Sequence, residues 1–355
     1  MQTLLSSGHS IYFGQPAYEA LNQHLLQTPY SGIFLLVDEN THEFCVQRFL
    51  SRVETQCAIE IIEIEPGESM KTLATCAEVW TILTELGADR KSLVINLGGG
   101  VITDLGGFIA STYKRGINFI NVPTSLLGMV DASVGGKNGV DLGHLKNQVG
   151  TITSPKMVLI DPEFLHTLPQ TELISGYAEM LKHGLIADQA YWRSLAVLET
   201  ISADTVVPYL FDSVRIKNEI VMRDPTENGI RKALNFGHTL GHAIESHFLH
   251  HPDKIALLHG EAVAAGMILE SYLSWQNQLL EPEEYLWIRQ VIRRSFASVV
   301  FTAMDIENIL GLLVHDKKNE YGKVLFALLD GIGKISIDQN IPNSLIYSAF
   351  ADYNS

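Results

Sequence analysis

An α/β domain built on a parallel sheet, followed by a mostly α-helical domain carrying a small β-hairpin, is the fold class this sequence predicts. Three observations predict it. The first half alternates short apolar runs with longer stretches of helical period, the spacing that parallel strands joined by crossover helices require. The second half is dominated by long segments of 3.6-residue periodicity. At 355 residues the chain exceeds the usual single-domain size, so two domains are expected, 1–168 and 169–355, with the change of character near 165–170.

The elements follow in order. Residues 33–37 form an apolar run ending at Asp38, 57–64 a second strand, 92–97 a third, and 117–122 a fourth stopped by Pro123. Residues 70–86 carry helical period between strands. Helices are expected over 172–187, 206–222, 230–248 and 260–275, and a glycine-containing hairpin over 323–337. His247, His250 and His251 read as loop residues. No internal repeat or low-complexity segment is present.

Composition narrows the function classes. Hydrophobic residues make up 46% and charged residues 18%, an ordinary soluble globular balance. The net charge of −15 argues against nucleic acid and anionic membrane as partners, which need basic surface. Cys45, Cys57 and Cys76 match no zinc or redox spacing, which fits a reducing cytoplasm. The N-terminus lacks the pattern of a signal peptide, and no apolar run approaches the ~20 residues of a membrane span.

The turn Gly98-Gly99-Gly100-Val101 follows the third strand and opens a helix that carries Asp104. Glycines there let backbone N–H groups approach an anion, and a helix N-terminus favours negative charge. A dinucleotide pyrophosphate fits, which gives the first domain a Rossmann-like reading. The full G-x-G-x-x-G fingerprint fails because Thr103 stands where the third glycine belongs, so a plain tight turn competes. Asp38 is a candidate for a ribose hydroxyl. It could equally cap a helix, with Asn40 competing for that job.

His238 and His242 stand four apart, on one face of a helix. Two ligands do not make a metal site. His259, opening an apolar helix, and Glu179, a carboxylate in an apolar helical run, are candidates for a third. Two histidines and one carboxylate suit a catalytic divalent ion with an open position. Against that, Glu179 and Lys182 could be an i,i+3 surface pair. Only 25 Lys and Arg are present, yet Arg115, Lys137, Lys146, Lys182, Lys217, Arg231, Lys317 and Lys318 fall in turns, glycine-rich loops or helices near these motifs. Converging in one cleft, they would bind a small anion such as a sugar phosphate carrying a carboxylate. Separately, each is ordinary surface charge.

Together the runs Asn96–Gly107, Asp131–Asn138, Ser175–Glu179 and Leu234–His242, with His259-Gly260-Glu261, resemble the 3-dehydroquinate synthase family. The motifs keep the family's order from about residue 30 to Lys318. The resemblance implies an NAD-binding α/β domain, a helical metal-binding domain, and a fold similar to glycerol dehydrogenases. It implies NAD, a divalent metal (zinc, replaceable by cobalt), a cytoplasmic homodimer and a shikimate-pathway reaction. In that reaction 3-deoxy-D-arabino-heptulosonate 7-phosphate becomes 3-dehydroquinate and phosphate. The steps are transient oxidation, phosphate elimination, reduction, ring opening and intramolecular aldol closure.

Carried over by position, the metal ligands would be Glu179, His238 and His259, so His242 would face substrate and move protons rather than ligate. Asp131, Lys137, Lys146, Asn147, Lys182, Lys217, Arg231, Asn235 and His242 match substrate contacts, with one of Lys317 or Lys318. Arg115 matches a phosphate contact reaching across a dimer interface. Lys137, Lys182, Asn235 and Glu227 match catalytic positions beside His242. For NAD the matches are Asp38, Asn40, Glu68, Lys71, Gly99, Gly100, Val101, Asp104, Thr124, Ser125, Phe164 and Thr167. The chain departs from the pattern at Met70, Ser175 and Pro225. Sibling cyclases making an inosose or a valiolone act on substrates without the carboxylate. Lys146, Asn147, Lys217, Arg231 and His242 together favour the dehydroquinate reading. A polyol dehydrogenase would not need the phosphate-directed lysines, and a silent regulatory protein would not need the whole ligand set.

Overall fold

A computed structural model describes residues 3–143, 145–251, 253–313 and 324–355. Lys317 and Lys318 lie outside the described residues. The chain divides into two compact units, Met1–Leu173 and Ile174–Ser355.

One seven-stranded sheet organises the first unit. Its strands are β1 (Thr3–Ser6), β2 (His9–Phe13), β3 (Ile33–Asp38), β4 (Ile59–Ile64), β5 (Leu93–Gly98) and β6 (Asn118–Pro123). A separate antiparallel hairpin follows, β7 (Lys137–Leu142) with β8 (Leu145–Ile152), and then the last sheet strand, β9 (Met157–Ile160). The spatial order is β1-β2-β9-β6-β5-β3-β4, and every neighbouring pair is parallel except β1 with β2. β5 and β9 are buried throughout, and β3 up to Asp38, which is why they read as unbroken apolar runs. At the edge strand β4 only Ile62 is buried, while Glu60 and Glu63 are exposed and discourage edge-to-edge pairing.

The helices of this unit are α1 (Gln15–Gln27), the short α2 (Glu39–Thr41) and α3 (Gln47–Leu50), α4 (Leu73–Glu85) and α5 (Gly100–Thr112). Cys76 and Val79 of α4 pack with Ile102, Leu105 and Ile109 of α5 against Phe34, Leu36 and Val94 of the sheet. From β3 the chain goes to β4 on one side and to β5 on the other, so the winding reverses between β3 and β5. In open parallel sheets, ligands bind at that reversal, outside the carboxyl ends of the strands. Those ends are Asp38 and the Gly98–Gly100 turn.

The four expected strands are present with ends shifted by up to two residues. The β1–β2 pair, the β7–β8 hairpin and β9 are additional. β7 and β8 are rich in glycine, Asn, Asp and Lys, so neither carries an alternating apolar signal. Their ladder comes from pairing with each other, from Lys137 opposite Ile152 to Leu142 opposite Leu145.

Helix α6 (Gln170–Ala187) leads into the second unit. It is followed by α7 (Gln189–Ala196), α8 (Ala203–Arg223), α9 (His238–His250), α10 (His259–Gln276), α11 (Pro282–Ser295) and α12 (Ala303–Leu313). The small hairpin β10 (Leu325–Leu329) with β11 (Ile335–Asn340) and helix α13 (Asn343–Tyr353) complete the unit. α10 is its central rod. Ala262 to Leu269 are buried on every face, as a helix surrounded by α9, α11, α13 and β10 must be.

One expected helix is divided. Residues 230–248 form a 3-10 turn (Ile230–Asn235), a break at Gly237, and then α9. Gly237 is left-handed, with φ 75°, which a side chain would disfavour. The helix that follows has no side-chain N-cap of its own. Instead the Glu270 carboxylate, reaching from α10, accepts from Gly237 N at 2.6 Å and Leu240 N at 3.0 Å, a favourable place for a negative charge. His247 and His250 lie in α9 rather than in a loop, because the helix continues to His250.

Candidate active site

In the first unit several of the predicted nucleotide residues stand where β3 and β5 end, while Phe164 and Thr167 follow β9. Asp38 is the N-cap of α2: it accepts from Thr41 N at 2.8 Å, and Thr41 Oγ1 accepts from Asp38 N at 2.9 Å. Asn40 lies inside that helix and is not the cap. Gly99 is the N-cap of α5 and offers no side-chain cap, so Gly100, Val101 and their neighbours begin the helix with main-chain donors open to an anion. Thr103, at the third-glycine position, turns its hydroxyl back to Gly100 O at 3.1 Å and is buried. Thr124 N donates to Gly98 O at 3.0 Å, and Ser125 Oγ accepts from Gly128 N at 3.1 Å. Phe164 and Thr167 share a 3-10 turn and its end, with Thr167 Oγ1 donating to Phe164 O at 3.2 Å.

A charged network joins α5 and the Glu68–Lys71 segment to the β7–β8 hairpin. Lys71 is buried and donates to Asp104 Oδ2 and to Asn147 Oδ1, both at 2.7 Å. Burial works against its charge, but Asp104, Glu68 and Asp141 more than offset this and raise its pKa. Lys146 pairs with Glu68 at 3.3 Å, and Asn147 N donates to Asp141 at 2.6 Å. Met70 ends the short 3-10 turn that begins at Glu68. Asp131 is half-buried, whereas Lys137, Arg115 and Asn147 are exposed. Arg115 has φ 70° between Lys114 at 48° and Gly116 at 105°, three successive left-handed residues that hold it on a tight surface turn.

In the second unit three helices deliver Glu179, His238 and His259 to one point. Two close approaches allow this. A Cβ on Gly266 of α10 would lie 2.0 Å from Gly237 O at the start of α9, and one on Gly260 would lie 2.0 Å from Ser175 O on α6. Ser175 also caps α10, its Oγ accepting from Gly260 N at 2.9 Å.

The Glu179 Oε1 atom lies 3.2 Å from His238 Nε2 and 3.4 Å from His259 Nε2. Neither carboxylate oxygen makes a hydrogen bond of ordinary geometry, and the residue is 0% exposed. Tetrahedral ligands about 2.0–2.1 Å from a zinc ion stand about 3.3–3.4 Å apart, so this spacing fits a divalent ion. The tautomers fit too. His238 Nδ1 donates to Phe236 O at 3.1 Å, and His259 Nδ1 faces Glu245 Oε2 at 3.1 Å, leaving both Nε2 atoms turned toward Glu179. His242 joins the group: its ring centroid is 5.1 Å from that of His238 and 5.8 Å from that of His259. A ligand atom from each of the three rings lies within 4.8 Å of the other two.

Lys182 contacts Glu179 Oε2. This i,i+3 pair is not on the surface, since Lys182 is only 1% exposed. Burial alone would raise the Glu179 pKa, but Lys182 and His238 hold it well below the carboxylate range. Burial, and then Lys182, lowers that of His238. For His259 burial acts downward, yet Glu245 and Glu179 lift it to about 10.

Lys217 and Arg231 are also buried, so three cations of this unit are not solvated surface charge. Asp224 holds the loop before Arg231 by accepting from Gly229 N at 2.7 Å and Arg231 N at 3.0 Å. Arg231 Nη1 donates to Pro225 O at 2.7 Å, a main-chain contact that proline keeps. Asn235 Nδ2 donates to Glu227 Oε1 at 3.0 Å, with Glu227 at φ 62°. Sequence reasoning missed Glu245 and Glu270. Each had a signal: Glu245 follows His242 by three on the same helix face, and Glu270 is an acid inside an apolar helix.

The matching family models are 3-dehydroquinate synthase N-terminal, over residues 61–175, and 3-dehydroquinate synthase C-terminal, over 176–319. The chain is 40% identical, over 94% of each chain, to a curated 3-dehydroquinate synthase of Parabacteroides distasonis. Among solved structures it is similar to 2-epi-5-epi-valiolone synthase of Streptomyces hygroscopicus subsp. jinggangensis with NAD+ and Zn2+ bound. The TM-score is 0.85 at 26% identity, covering 99% of this chain and 98% of that one. A 2-deoxy-scyllo-inosose synthase complexed with carbaglucose-6-phosphate, NAD+ and Co2+ has the same fold, with a TM-score of 0.85 at 23% identity over 99% of both chains. Among the described residues, no helix is long and apolar enough to cross a membrane.

Proposed function

This chain belongs to the 3-dehydroquinate synthase family, and from that premise we propose how its residues divide the work of a carbocycle-forming cyclase. The reaction turns 3-deoxy-D-arabino-heptulosonate 7-phosphate into 3-dehydroquinate and phosphate. The observation that carries the reading is the Glu179–His238–His259 donor set with metal-ligand spacing, in which Glu179 and His238 are buried and His259 half-buried, with Lys182 in contact with Glu179 and Lys217 and Arg231 buried in the same unit. Reversible hydride acceptance is what NAD supplies when bound, and Lewis-acid polarisation of substrate oxygens is what a divalent ion, zinc or cobalt, supplies.

Glu179, His238 and His259 would hold the ion. The Gly99-Gly100-Val101 turn would face the pyrophosphate with main-chain N–H groups. Asp38 and Asn40 would meet a ribose, with Glu68, Lys71, Asp104, Thr124, Ser125, Phe164 and Thr167 lining the remainder. Lys137, Lys146, Asn147 and Arg115 hold the phosphate where it can take the C6 proton. Lys182, Lys217 and Arg231 gather the carboxylate and hydroxyl oxygens in an otherwise acidic protein, with Asp131 and one of Lys317 or Lys318 completing the contacts. Asn235, oriented by Glu227, positions a substrate oxygen. His242 moves the proton at the C5 hydroxyl.

The same reading makes the protein a homodimer, with Arg115 serving the partner's phosphate. Its exposure on a tight turn supports this. Three free cysteines support a reducing, cytoplasmic setting.

One assay tests the function. Phosphate release from the heptulosonate 7-phosphate with NAD+, without NADH accumulation and abolished by EDTA, is the expected result. Release only from glucose 6-phosphate or sedoheptulose 7-phosphate moves the activity to a sibling cyclase. NADH accumulation with glycerol makes it a polyol dehydrogenase.

A further inference from the structure

We propose that Glu245 is a positioning residue for the metal: it fixes the ring of His259 so that Nε2, and not Nδ1, meets the ion. The proposal rests on the reading of Glu179, His238 and His259 as the ligands, and it concerns how one of them is held.

An imidazole presents either nitrogen, and a free ring rotates and exchanges tautomers. Metal-binding histidines are held by a second hydrogen bond from the other nitrogen, which fixes the ring and makes the ligating nitrogen more basic. Both histidines here have such a partner, of two different kinds. His238 uses a main-chain oxygen, Phe236 O at 3.1 Å from Nδ1. That contact survives any side-chain substitution. His259 uses a side chain, Glu245 Oε2 at 3.1 Å from Nδ1. His259 is the first residue of α10, where no preceding turn of helix braces its ring, and the N-cap Leu258 provides no polar side chain.

Glu245 is well placed to supply the brace. It is buried and lies seven residues after His238 and three after His242 on α9, so all three project from one stripe of that helix. The close approaches of Gly266 to Gly237, and of Gly241 to Val263 and Ala262, hold α9 tightly against α10. One helix therefore provides a ligand, a proposed proton carrier and the brace of a second ligand. A carboxylate there would also place negative charge behind the ligand His259 rather than among the ligands themselves.

The test is zinc binding by metal-free protein, titrated against a chromophoric chelator, with melting of the metal-free protein measured alongside. For E245A the dissociation constant for zinc is expected to rise by roughly 10- to 100-fold. E245Q keeps an amide oxygen that accepts from Nδ1 and loses only the charge, so it is expected to recover part of the affinity. E245Q also carries the test if E245A does not fold. Zinc binding by both variants within twofold of the parent overturns the proposal. So does a loss that is equal in both variants and matches their fall in metal-free melting temperature, since that is what a purely structural role gives. If the parent protein and E179Q bind zinc equally weakly, the ligand reading itself falls. If the parent binds tightly and the Glu245 variants do as well, only this inference falls.

Discussion

His238 and His242 stand one turn apart on α9, and their surroundings rather than their spacing separate them. His238 is buried, with Nδ1 committed to Phe236 O and Nε2 facing Glu179. His242 is half-buried in the same cluster. The i,i+4 spacing therefore identifies a shared face and leaves open which ring meets the ion. His242→Ala is expected to lower turnover by roughly 10²- to 10⁴-fold, the usual worth of a general acid–base group, while the protein keeps its full complement of zinc by metal analysis. Near-full turnover would remove the proton-carrying role, and loss of zinc would make His242 a ligand. Asp38 teaches the same lesson in the first unit. A strand-end Asp reads equally as cap or ribose partner, and here the capping bonds are made while the residue still sits at the carboxyl end of β3, where the winding reverses.

At the scale of elements, the donor cluster of the second unit depends on how closely α6, α9 and α10 approach. Gly266→Ala places a methyl 2.0 Å from Gly237 O and must push α9 from α10. The expected cost is about 1–3 kcal/mol in urea unfolding of the metal-free protein, with weaker zinc binding because His238 moves with the helix start. Unchanged stability would show that the crossing relaxes freely. The far end of α9 is pinned differently. Asp305, buried in α12's first turn, accepts from His247 Nε2 at 2.8 Å, Lys254 Nζ at 2.7 Å and Thr302 N at 2.8 Å. Burial would raise its pKa, but Lys254, His247 and Thr302 together lower it well below the usual range. A carboxyl lowered in the folded state makes the unfolded chain take up more protons as the solution is acidified. Its contribution is complete above the ordinary aspartate pKa of about 4 and disappears as pH falls through the folded-state value. Asp305→Asn is therefore expected to lower the urea midpoint at pH 7, with the gap to the parent narrowing below about pH 4. A gap that is constant with pH would refute the assignment.

For the whole molecule, ligand linkage gives the check. A metal held by the native donor set and not by the unfolded chain stabilises the fold by RT ln(1 + [L]/Kd). Zinc at one hundred times its dissociation constant should therefore add about 2.7 kcal/mol to unfolding, read as a rise in melting temperature that EDTA reverses. No shift at saturating zinc would contradict the ligand reading. The net charge of −15 sharpens the role of the buried cations. In a protein repelling anions overall, Lys182, Lys217 and Arg231 are cations kept inside one unit, and Lys71, held among Asp104, Glu68 and Asp141, is one kept inside the other.

The apolar runs of β3 and β5 were readable because burial on both faces imposes continuous hydrophobicity on a local stretch. The apolar rod of α10, with His259 at its head, was readable for the same reason. The motif residues gave the family, and with it the substrate and cofactors. The β7–β8 hairpin was not readable, since its polar, glycine-rich strands are stabilised by each other and not by a local pattern. The break at Gly237 depends on a carboxylate thirty-three residues away, and the partner of His259 lies fourteen residues before it on another helix. Local periodicity, set by which face is buried, fixes elements and candidate residues. Which nitrogen, which oxygen and which helix end meet is decided by contacts between distant segments, and those exist only once the helices have packed.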